Sequence, residues 1–120
     1  MANVEKNLSI AKAFWDSIRT RNIDAYSRLF TKEAIAHDPA NKPSLETDKQ
    51  RRVYISALLS NFEKLTIDIN FMTPCGDYTA SKWTANGITG EGQQVVIEGI
   101  DIIKHADNGL IEEMWGYFDN

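Results

Sequence analysis

Sulfur and imidazole side chains are scarce in this chain of 120 residues. The sequence contains one cysteine, Cys75, and two histidines, His37 and His105, which lie far apart along the chain. A single cysteine excludes an internal disulfide and a cluster of thiolate metal ligands. The two histidines do not have a spacing that is typical of a metal site. We therefore expect no metal.

Long apolar runs and concentrated positive charge are also missing. No apolar stretch approaches the length of a membrane span, and the first residues lack the apolar core of a signal peptide. The formal net charge is −4, the pI is about 5.1, and Arg51-Arg52 is the only pair of adjacent basic residues. These features predict a cytoplasmic protein that binds neither nucleic acid nor membranes.

The first half of the chain has helical periodicity. Apolar residues recur every three or four positions between residues 4 and 20, which predicts an amphipathic helix. Asn22 is a suitable N-cap for a short second helix. Thr47 and Gln50 have the spacing of a capping box, which predicts a third helix that ends near Lys64.

The second half changes to the periodicity of strands. Apolar and polar residues alternate in four segments that are separated by short turns, at residues 65–71, 78–88, 93–105 and 110–118. Short turns between successive strands predict an antiparallel meander. Helices followed by strands are typical of an α+β domain, which we expect to span residues 1–120 as a single unit. Three helices beside a curved sheet can enclose a pocket against its concave face.

Asp38 is the first candidate for chemistry. It follows a short apolar run, residues 34–36, and precedes Pro39, which disfavours helical backbone at the aspartate. One interpretation is an Asx-turn, in which the carboxylate caps its own loop. The other is a carboxylate that points into a pocket, and the local sequence leaves both open.

Asp101 is the second candidate. Strand alternation places it on one face with mainly aliphatic neighbours such as Ile97 and Ile103, while Glu98 lies on the other face. A carboxyl among aliphatic side chains is costly unless it is paired, protonated or hydrated. Protonation would make it a hydrogen-bond donor at neutral pH, because desolvation raises the pKa of a carboxyl group. The alternative is that this face is solvated and that Glu98 lies inside.

Two stretches of this chain resemble the nuclear transport factor 2-like superfamily, which includes SnoaL-like proteins and ketosteroid isomerases. They are RNIDAYSRLFTKEAIAHDP, residues 21–39, and GIDIIKHADNGLIEEMWGYFD, residues 99–119. The resemblance implies a cone-shaped, curved antiparallel sheet wrapped by three N-terminal helices that enclose a pocket. It also implies a homodimer formed through the sheet.

The resemblance assigns roles to single positions. Asp38 matches the general base of ketosteroid isomerase, and Asp101 matches its protonated aspartic acid, one half of the oxyanion hole. The tyrosine that forms the other half matches Phe14, which has no hydroxyl group. Tyr54 matches a second tyrosine of that site, and we expect it to reach the substrate oxygen instead.

The remaining pocket follows from the same resemblance. The residues expected in its wall are Phe14, Trp15, Phe30, His37, Leu58, Trp83, Met114, Gly116 and Phe118. Limonene epoxide hydrolase and the SnoaL-like polyketide cyclases, two relatives of this fold, have an acid on the last strand, where this chain has Gly116. The Arg-x-Asp pair of the hydrolase matches Ser81-Lys82-Trp83. The resemblance therefore favours chemistry that depends on Asp38.

Two functions are compatible with these residues. The first is an enzyme that needs no cofactor, in which Asp38 moves a proton next to a carbonyl group in an isomerisation or a polyketide-type cyclisation. Its partner would be a small hydrophobic ligand. The second is a non-catalytic module that binds such a ligand or dimerises, which the phenylalanine at position 14 favours.

Overall fold

Three helices and five strands make up residues 3–119, the part of the chain that this computed structural model describes. In chain order they are α1 (Val4–Arg19), α2 (Ile23–Ser27), β1 (Phe30–His37), α3 (Asp48–Ser60), β2 (Phe62–Cys75), β3 (Tyr78–Thr89), β4 (Gln94–His105) and β5 (Ile111–Tyr117). The α+β architecture is confirmed. Within these residues no helix has both the length and the apolar character that a membrane crossing requires.

The helices begin where the sequence indicates. The Asn22 side chain accepts a hydrogen bond from the first turn of α2, and Thr47 and Gln50 form the reciprocal bonds of a capping box at the start of α3. The end of α3 was predicted too late. Strand β2 already begins at Phe62, so Lys64 pairs with β3 and does not belong to the helix.

The sheet has the strand order β1-β5-β4-β3-β2. Strands β2 to β5 form the predicted antiparallel meander. Strand β1, of which the sequence indicated only a short apolar run, lies parallel to β5, with Ala36 opposite Met114. The sheet is therefore mixed, and the parallel pairing brings the end of β1 beside the middle of the sheet.

The exposure of alternate residues along β4 shows which face of the sheet is buried. Asp101 is 4% exposed, whereas Glu98 is an exposed residue. The same face of β3 buries Thr79, Ser81, Trp83 and Ala85, which is the alternation expected of residues 78–88. Of the two alternatives that the sequence left open, the structure therefore has the one in which Asp101 lies on the inner face and Glu98 lies outside.

Strand β2 departs from simple alternation at one place. The pairing with β3 skips a residue between Ile69 and Phe71, which is an irregularity of the β-bulge type. Because of the extra residue, the side chains after it point to the opposite face of the sheet from the one that simple alternation would give them. Phe71 therefore points outward and is 62% exposed, although the alternation predicted that it would share a face with Ile69.

Two arginines hold the helices against the sheet. The Arg19 guanidinium at the end of α1 donates two hydrogen bonds, 3.0 and 2.8 Å long, to the carbonyl of Ile67 in β2. Arg21 donates to the carbonyl of Leu59 at the end of α3 and to that of Phe62. These contacts set α1 and α3 over the concave face of the sheet, where the pocket lies.

Candidate active site

A pocket lies between α1, α3 and the inner face of the sheet. The space between its walls is about 580 Å³, the open mouth included. Its lining is mostly aromatic and aliphatic, and comprises Phe14, Trp15, Ile18, Asp38, Tyr54, Ile55, Leu58, Phe62, Leu65, Ile67, Trp83, Ala85, Ile97, Asp101 and Phe118. Two carboxyl groups in such a lining are costly unless they interact with each other or with a ligand.

Asp38 enters the pocket because of the alternation along β1. Ala34 and Ala36 are fully buried on the inner side, and Asp38 is the next residue with the same direction. Within residues 3–119 its carboxyl group accepts no hydrogen bond from its own loop, so the Asx-turn is not formed. The Asp38–Pro39 peptide bond is cis.

The two carboxyl groups meet above Gly116. Asp101 is paired with Gly116 across β4 and β5, and a Cβ atom at this glycine would lie 3.4 Å from the Asp101 Oδ1 atom. The same Cβ atom would overlap the Asp38 Oδ1 atom. The absence of a side chain at position 116 therefore allows both carboxyl groups to approach one point of the pocket.

Asp101 is oriented by a neighbouring tryptophan. The Trp83 Nε1–H group donates a buried hydrogen bond of 2.9 Å to Asp101 Oδ1. A second glycine makes room for this indole, because a Cβ atom at Gly99 would lie 2.7 Å from the Trp83 Cε2 atom. One oxygen of Asp101 is thus engaged by the protein, which leaves the rest of the carboxyl group for Asp38 or a ligand.

Desolvation separates the proton affinities of the two acids. Burial raises the pKa of Asp38 to about 7. Burial, and then the negative charge of Asp38, raise the pKa of Asp101 well above its ordinary value, against the opposing hydrogen bond from Trp83. Asp38 is half-buried and Asp101 is almost fully buried, so Asp101 binds a proton more tightly. The direction of the two shifts favours the proton on Asp101 and makes Asp38 the acid that ionises more readily.

Tyr54 adds a third polar group to the lining. Its buried hydroxyl group has no hydrogen-bond partner within residues 3–119. Burial and then the charges of Asp38 and Asp101 raise the pKa of the Tyr54 hydroxyl, so it stays protonated. An unpartnered buried hydroxyl group costs about 1–3 kcal/mol, and a ligand oxygen would remove that cost.

Comparison with known families decides the identity of the fold. Residues 11–114 match the family model of the SnoaL-like domain. The chain belongs to the SnoaL-like domain family. No curated protein sequence matches this chain significantly.

Solved structures with this fold are similar over nearly the whole chain. One is the epoxide hydrolase/cyclase-like enzyme SalBIII, which is described as acting in pyran ring formation in the polyether salinomycin. It has 20% sequence identity and a TM-score of 0.88 over 99% of this chain and 95% of that chain. Another is a nuclear transport factor 2-like protein of unknown function from Exiguobacterium sp. 255-15. It has 15% identity and a TM-score of 0.80, over 92% of this chain and 98% of that chain. The likeness confirms that this SnoaL-like domain has the nuclear transport factor 2-like fold.

Five of the residues expected in the wall of this SnoaL-like pocket do line it. They are Phe14, Trp15, Leu58, Trp83 and Phe118. Gly116 lies beneath the two carboxyl groups, where its lack of a side chain matters, and is not part of the lining.

The other three expected wall residues lie elsewhere. His37 has the opposite direction to Asp38, so it stacks on Trp115 at 5.6 Å and its Nε2 atom lies 2.8 Å from a Glu113 carboxylate oxygen. Phe30 and Met114 are buried in the core. Phe30 stands at the far end of β1 from Asp38, and Met114 is level with Ile103, beyond the Asp101 position.

Tyr26 is a residue near the site that the sequence analysis missed. It is 1% exposed, and its hydroxyl group lacks a hydrogen-bond partner within residues 3–119. Its ring packs against Phe14, with ring centroids 5.7 Å apart. Burial and then the charge of Asp38 raise the pKa of Tyr26. The sequence feature that could have indicated a buried tyrosine is the position of Tyr26 on the apolar side of the short helix α2, one turn after Asn22.

No metal-ligand cluster is evident in the described part of the chain. Within residues 3–119 no three His, Cys, Asp or Glu side chains come together as metal ligands would. The polar groups of the lining residues are the two carboxyl groups, the Tyr54 hydroxyl and two indole N–H groups, of which that of Trp83 already donates to Asp101.

Proposed function

We propose that this SnoaL-like domain is an enzyme that transfers a proton next to a carbonyl group of a small hydrophobic ligand without a cofactor. The observation that carries the proposal is the convergence of two carboxyl groups over Gly116 in an apolar pocket. Titratable groups whose environments push their pKa values apart are the arrangement that acid–base catalysis requires.

The proposed reaction assigns one role to each acid. Ionised Asp38 removes a proton from the carbon next to the carbonyl group. Protonated Asp101 donates a hydrogen bond to the oxygen, on which negative charge develops as the C–H electron pair moves into the enolate. In an isomerisation, Asp38 returns the proton to another carbon of the conjugated system.

Tyr54 is proposed as the second donor to the enolate oxygen. Phe14 lines the same pocket and offers no hydroxyl group, whereas the Tyr54 hydroxyl is buried there without a protein partner. Removing one preorganised donor of this kind typically lowers the rate about 100- to 1000-fold. We therefore expect Tyr54→Phe to reduce turnover by roughly that factor.

Ring closure is a second outcome of the same chemistry. The similarity to SalBIII, described as epoxide hydrolase/cyclase-like, supports it at the level of the fold. In a polyketide-type closure, Asp38 removes the proton and the resulting enolate carbon attacks a second carbonyl group of the same ligand. Asp101 protonates the alkoxide that forms, and the proton held by Asp38 then passes to Asp101, which restores the pair. A non-catalytic binding module of the same fold is the alternative, and the absence of a donor at Phe14 favours it.

Hydrogen–deuterium exchange into candidate substrates tests the proposal. Ketosteroids and small enones are incubated in D2O with the wild type, with Asp38→Asn and with Glu98→Gln, a control on the outer face of β4. We expect deuterium to enter the position next to the carbonyl group, and Asp38→Asn to slow this by at least roughly 100-fold. Glu98→Gln should exchange at the wild-type rate. Equal exchange by wild type and Asp38→Asn, or none with any compound, would favour the binding module.

We also propose that the protein forms a homodimer through the outer face of its sheet. Large apolar side chains are exposed there on three strands, with Phe71 62%, Val96 66%, Ile100 46% and Tyr117 52% exposed. Apolar surface of this kind usually marks an interface. A second copy of the chain would cover it without blocking the pocket, which opens on the inner face.

A further inference from the structure

The indole of Trp15 has an unusual environment. The residue is 4% exposed, and its buried Nε1–H group has no acceptor within residues 3–119. The other pocket tryptophan, Trp83, donates to Asp101. A buried donor without an acceptor lowers the stability of the folded protein by about 1–3 kcal/mol. An acceptor on a bound ligand would remove this cost.

Packing prevents the Trp15 ring from turning towards another acceptor. The ring contacts Phe14 edge-on, with ring centroids 5.1 Å apart and planes at 85°. It also contacts Trp83, with centroids 5.8 Å apart. Helix α1 is held one turn later by the hydrogen bonds from Arg19 to Ile67. Close-packed aromatic rings cannot rotate without displacing their neighbours.

The pocket-lining residues carry polar groups in two places. Asp38, Asp101 and Tyr54 form the first, and Trp15, whose buried N–H group has no acceptor within residues 3–119, is the second. The ring of Trp83 lies between them, because its nitrogen donates to Asp101 and its ring packs on that of Trp15. The lining contains no lysine or arginine, so it has no positive charge to bind an anionic ligand.

We propose that Trp15 donates a hydrogen bond to a second oxygen of the ligand. The ligand is thus an uncharged, largely apolar molecule with two oxygen acceptors, such as a diketone, a keto-ether or a keto-lactone. One oxygen binds at the carboxyl pair and the other lies about one aromatic ring away, at Trp15. The assignment of the first oxygen rests on the proposed function, whereas that of the second does not.

A competing arrangement exists on the other side of the same ring. Trp15 also borders a surface groove that it shares with Asp16, Asp68 and Met72. An N–H group that met water in this groove would have no need of a ligand. The two arrangements differ in whether an oxygen-bearing ligand changes the environment of the Trp15 nitrogen.

Nuclear magnetic resonance of the indole groups tests the proposal. The chain has three tryptophans, so protein with ¹⁵N-labelled tryptophan gives three indole signals, which Trp→Phe variants assign. The probes are cyclohexane-1,4-dione, cyclohexanone and methylcyclohexane, which share a six-membered ring and have two, one and no oxygen atoms. Trp115, which stacks on His37 away from the pocket, serves as the internal control.

We expect the dione to move the Trp15 indole proton downfield, and methylcyclohexane to leave it nearly unmoved. Trp15→Phe should weaken dione binding about tenfold, the loss of one hydrogen bond, and cyclohexanone binding less than twofold. Equal shifts from the dione and the hydrocarbon overturn the proposal. It is also overturned if the dione does not bind, or if it binds to saturation and the Trp15 signal does not move. The wild-type shift decides the matter even if Trp15→Phe folds poorly.

Two measurements separate this proposal from the proposed function. If the dione shifts Trp15 and Asp38→Asn leaves deuterium exchange unchanged, the donor site stands and the enzyme proposal fails. If Asp38→Asn abolishes exchange and the dione does not move the Trp15 signal, the enzyme proposal stands and the donor site fails.

Discussion

Desolvation decides the properties of Asp38 and Asp101 at the scale of single residues. Each carboxyl group would have a pKa of about 4 in water. In the pocket each becomes a weaker acid, because burial removes its hydration. At neutral pH the burial of these carboxyl groups lowers the free energy of unfolding, because the folded state disfavours their ionised forms. A site of this kind trades stability for reactivity.

The first prediction concerns stability as a function of pH. A raised folded-state pKa means that the folded protein binds more protons than the unfolded chain between about pH 4 and 7, so its stability falls as the pH rises through that window. Asp38→Asn removes the contribution of this carboxyl group to the pH dependence of stability. We expect it to stabilise the protein at pH 8 by roughly 1–3 kcal/mol, and much less at pH 4.

Denaturant unfolding of wild type and variant at both values of pH measures this effect. Asp107→Asn, at an exposed position of the turn between β4 and β5, is the matched control and should change little. A variant that is no more stable than the wild type at pH 8 would show that the Asp38 carboxyl is not desolvated.

The second prediction concerns His105, which is buried away from the pocket. Its Nδ1–H group donates to the Gly109 carbonyl at 2.7 Å, and its Nε2 atom therefore accepts from the Thr79 hydroxyl at 2.9 Å. Burial lowers the pKa of His105. The unfolded chain then binds more protons below about pH 6.5, so stability is lost as the pH falls through that value.

Comparison with His105→Gln isolates this contribution. We expect the free energy of unfolding of the wild type, relative to the variant, to decrease as the pH falls from 7.5 to 5. Stability curves that stay parallel over this range would mean that His105 titrates alike in the folded and unfolded states.

At the scale of secondary-structure elements, the site depends on how β1 and α3 are joined. The Arg51 side chain of α3 is 1% exposed, donates to the Ala34 carbonyl of β1 at 2.6 Å and lies 4.9 Å from the centre of the Phe30 ring. This contact holds β1 against α3. The strand in turn directs Asp38 towards the side of the sheet on which β5 presents Gly116.

The third prediction follows from that juxtaposition. Gly116→Ala introduces a methyl group where the two carboxyl groups approach each other, and it would overlap Asp38 Oδ1. We expect deuterium exchange to fall at least tenfold, because a small displacement of a catalytic group costs that much or more. Gly90→Ala is the control, since a Cβ atom there meets nothing within 4 Å. Full activity in Gly116→Ala would contradict the convergence of the carboxyl groups.

At the scale of the whole molecule, the curved sheet has two faces with different uses. The inner face carries the pocket, and the outer face exposes apolar side chains on β2, β4 and β5. This division allows the proposed homodimer to form without closing the pocket.

The fourth prediction tests the outer face. Val96→Glu places a charge at the most exposed of these positions, and in a symmetric dimer it does so on both copies. We expect the wild type to sediment as a dimer at micromolar concentration and the variant to shift towards the monomer. Val53→Glu on α3, where the side chain is 61% exposed, is the control and should remain dimeric. A monomeric wild type would refute the dimer proposal.

The sequence predicts local features well because their causes are local. The capping box of Thr47 and Gln50 involves neighbouring residues, and the alternation along β4 groups Asp101 with Ile97 and Ile103 on one face. Which of the two faces is buried was left open by the sequence and is shown by the structure. The sidedness of Phe71 could not be predicted, since a bulge depends on the partner strand. His37 was misplaced because the resemblance to the family does not give the direction of each side chain.

What the sequence by itself determined is the order of the helices and the meander strands, the helix N-caps and the residues that share a face of each regular strand. Periodicity and capping depend on residues that are close together in the chain, so they can be predicted from the sequence. Only the tertiary structure decided that Asp38 and Asp101 both approach Gly116. It also shows that, among the residues it describes, Asp38 forms no Asx-turn and the Trp15 N–H group has no acceptor. Each of these depends on contacts between segments that are far apart in sequence, such as the parallel pairing of β1 with β5 that brings Asp38 beside Gly116.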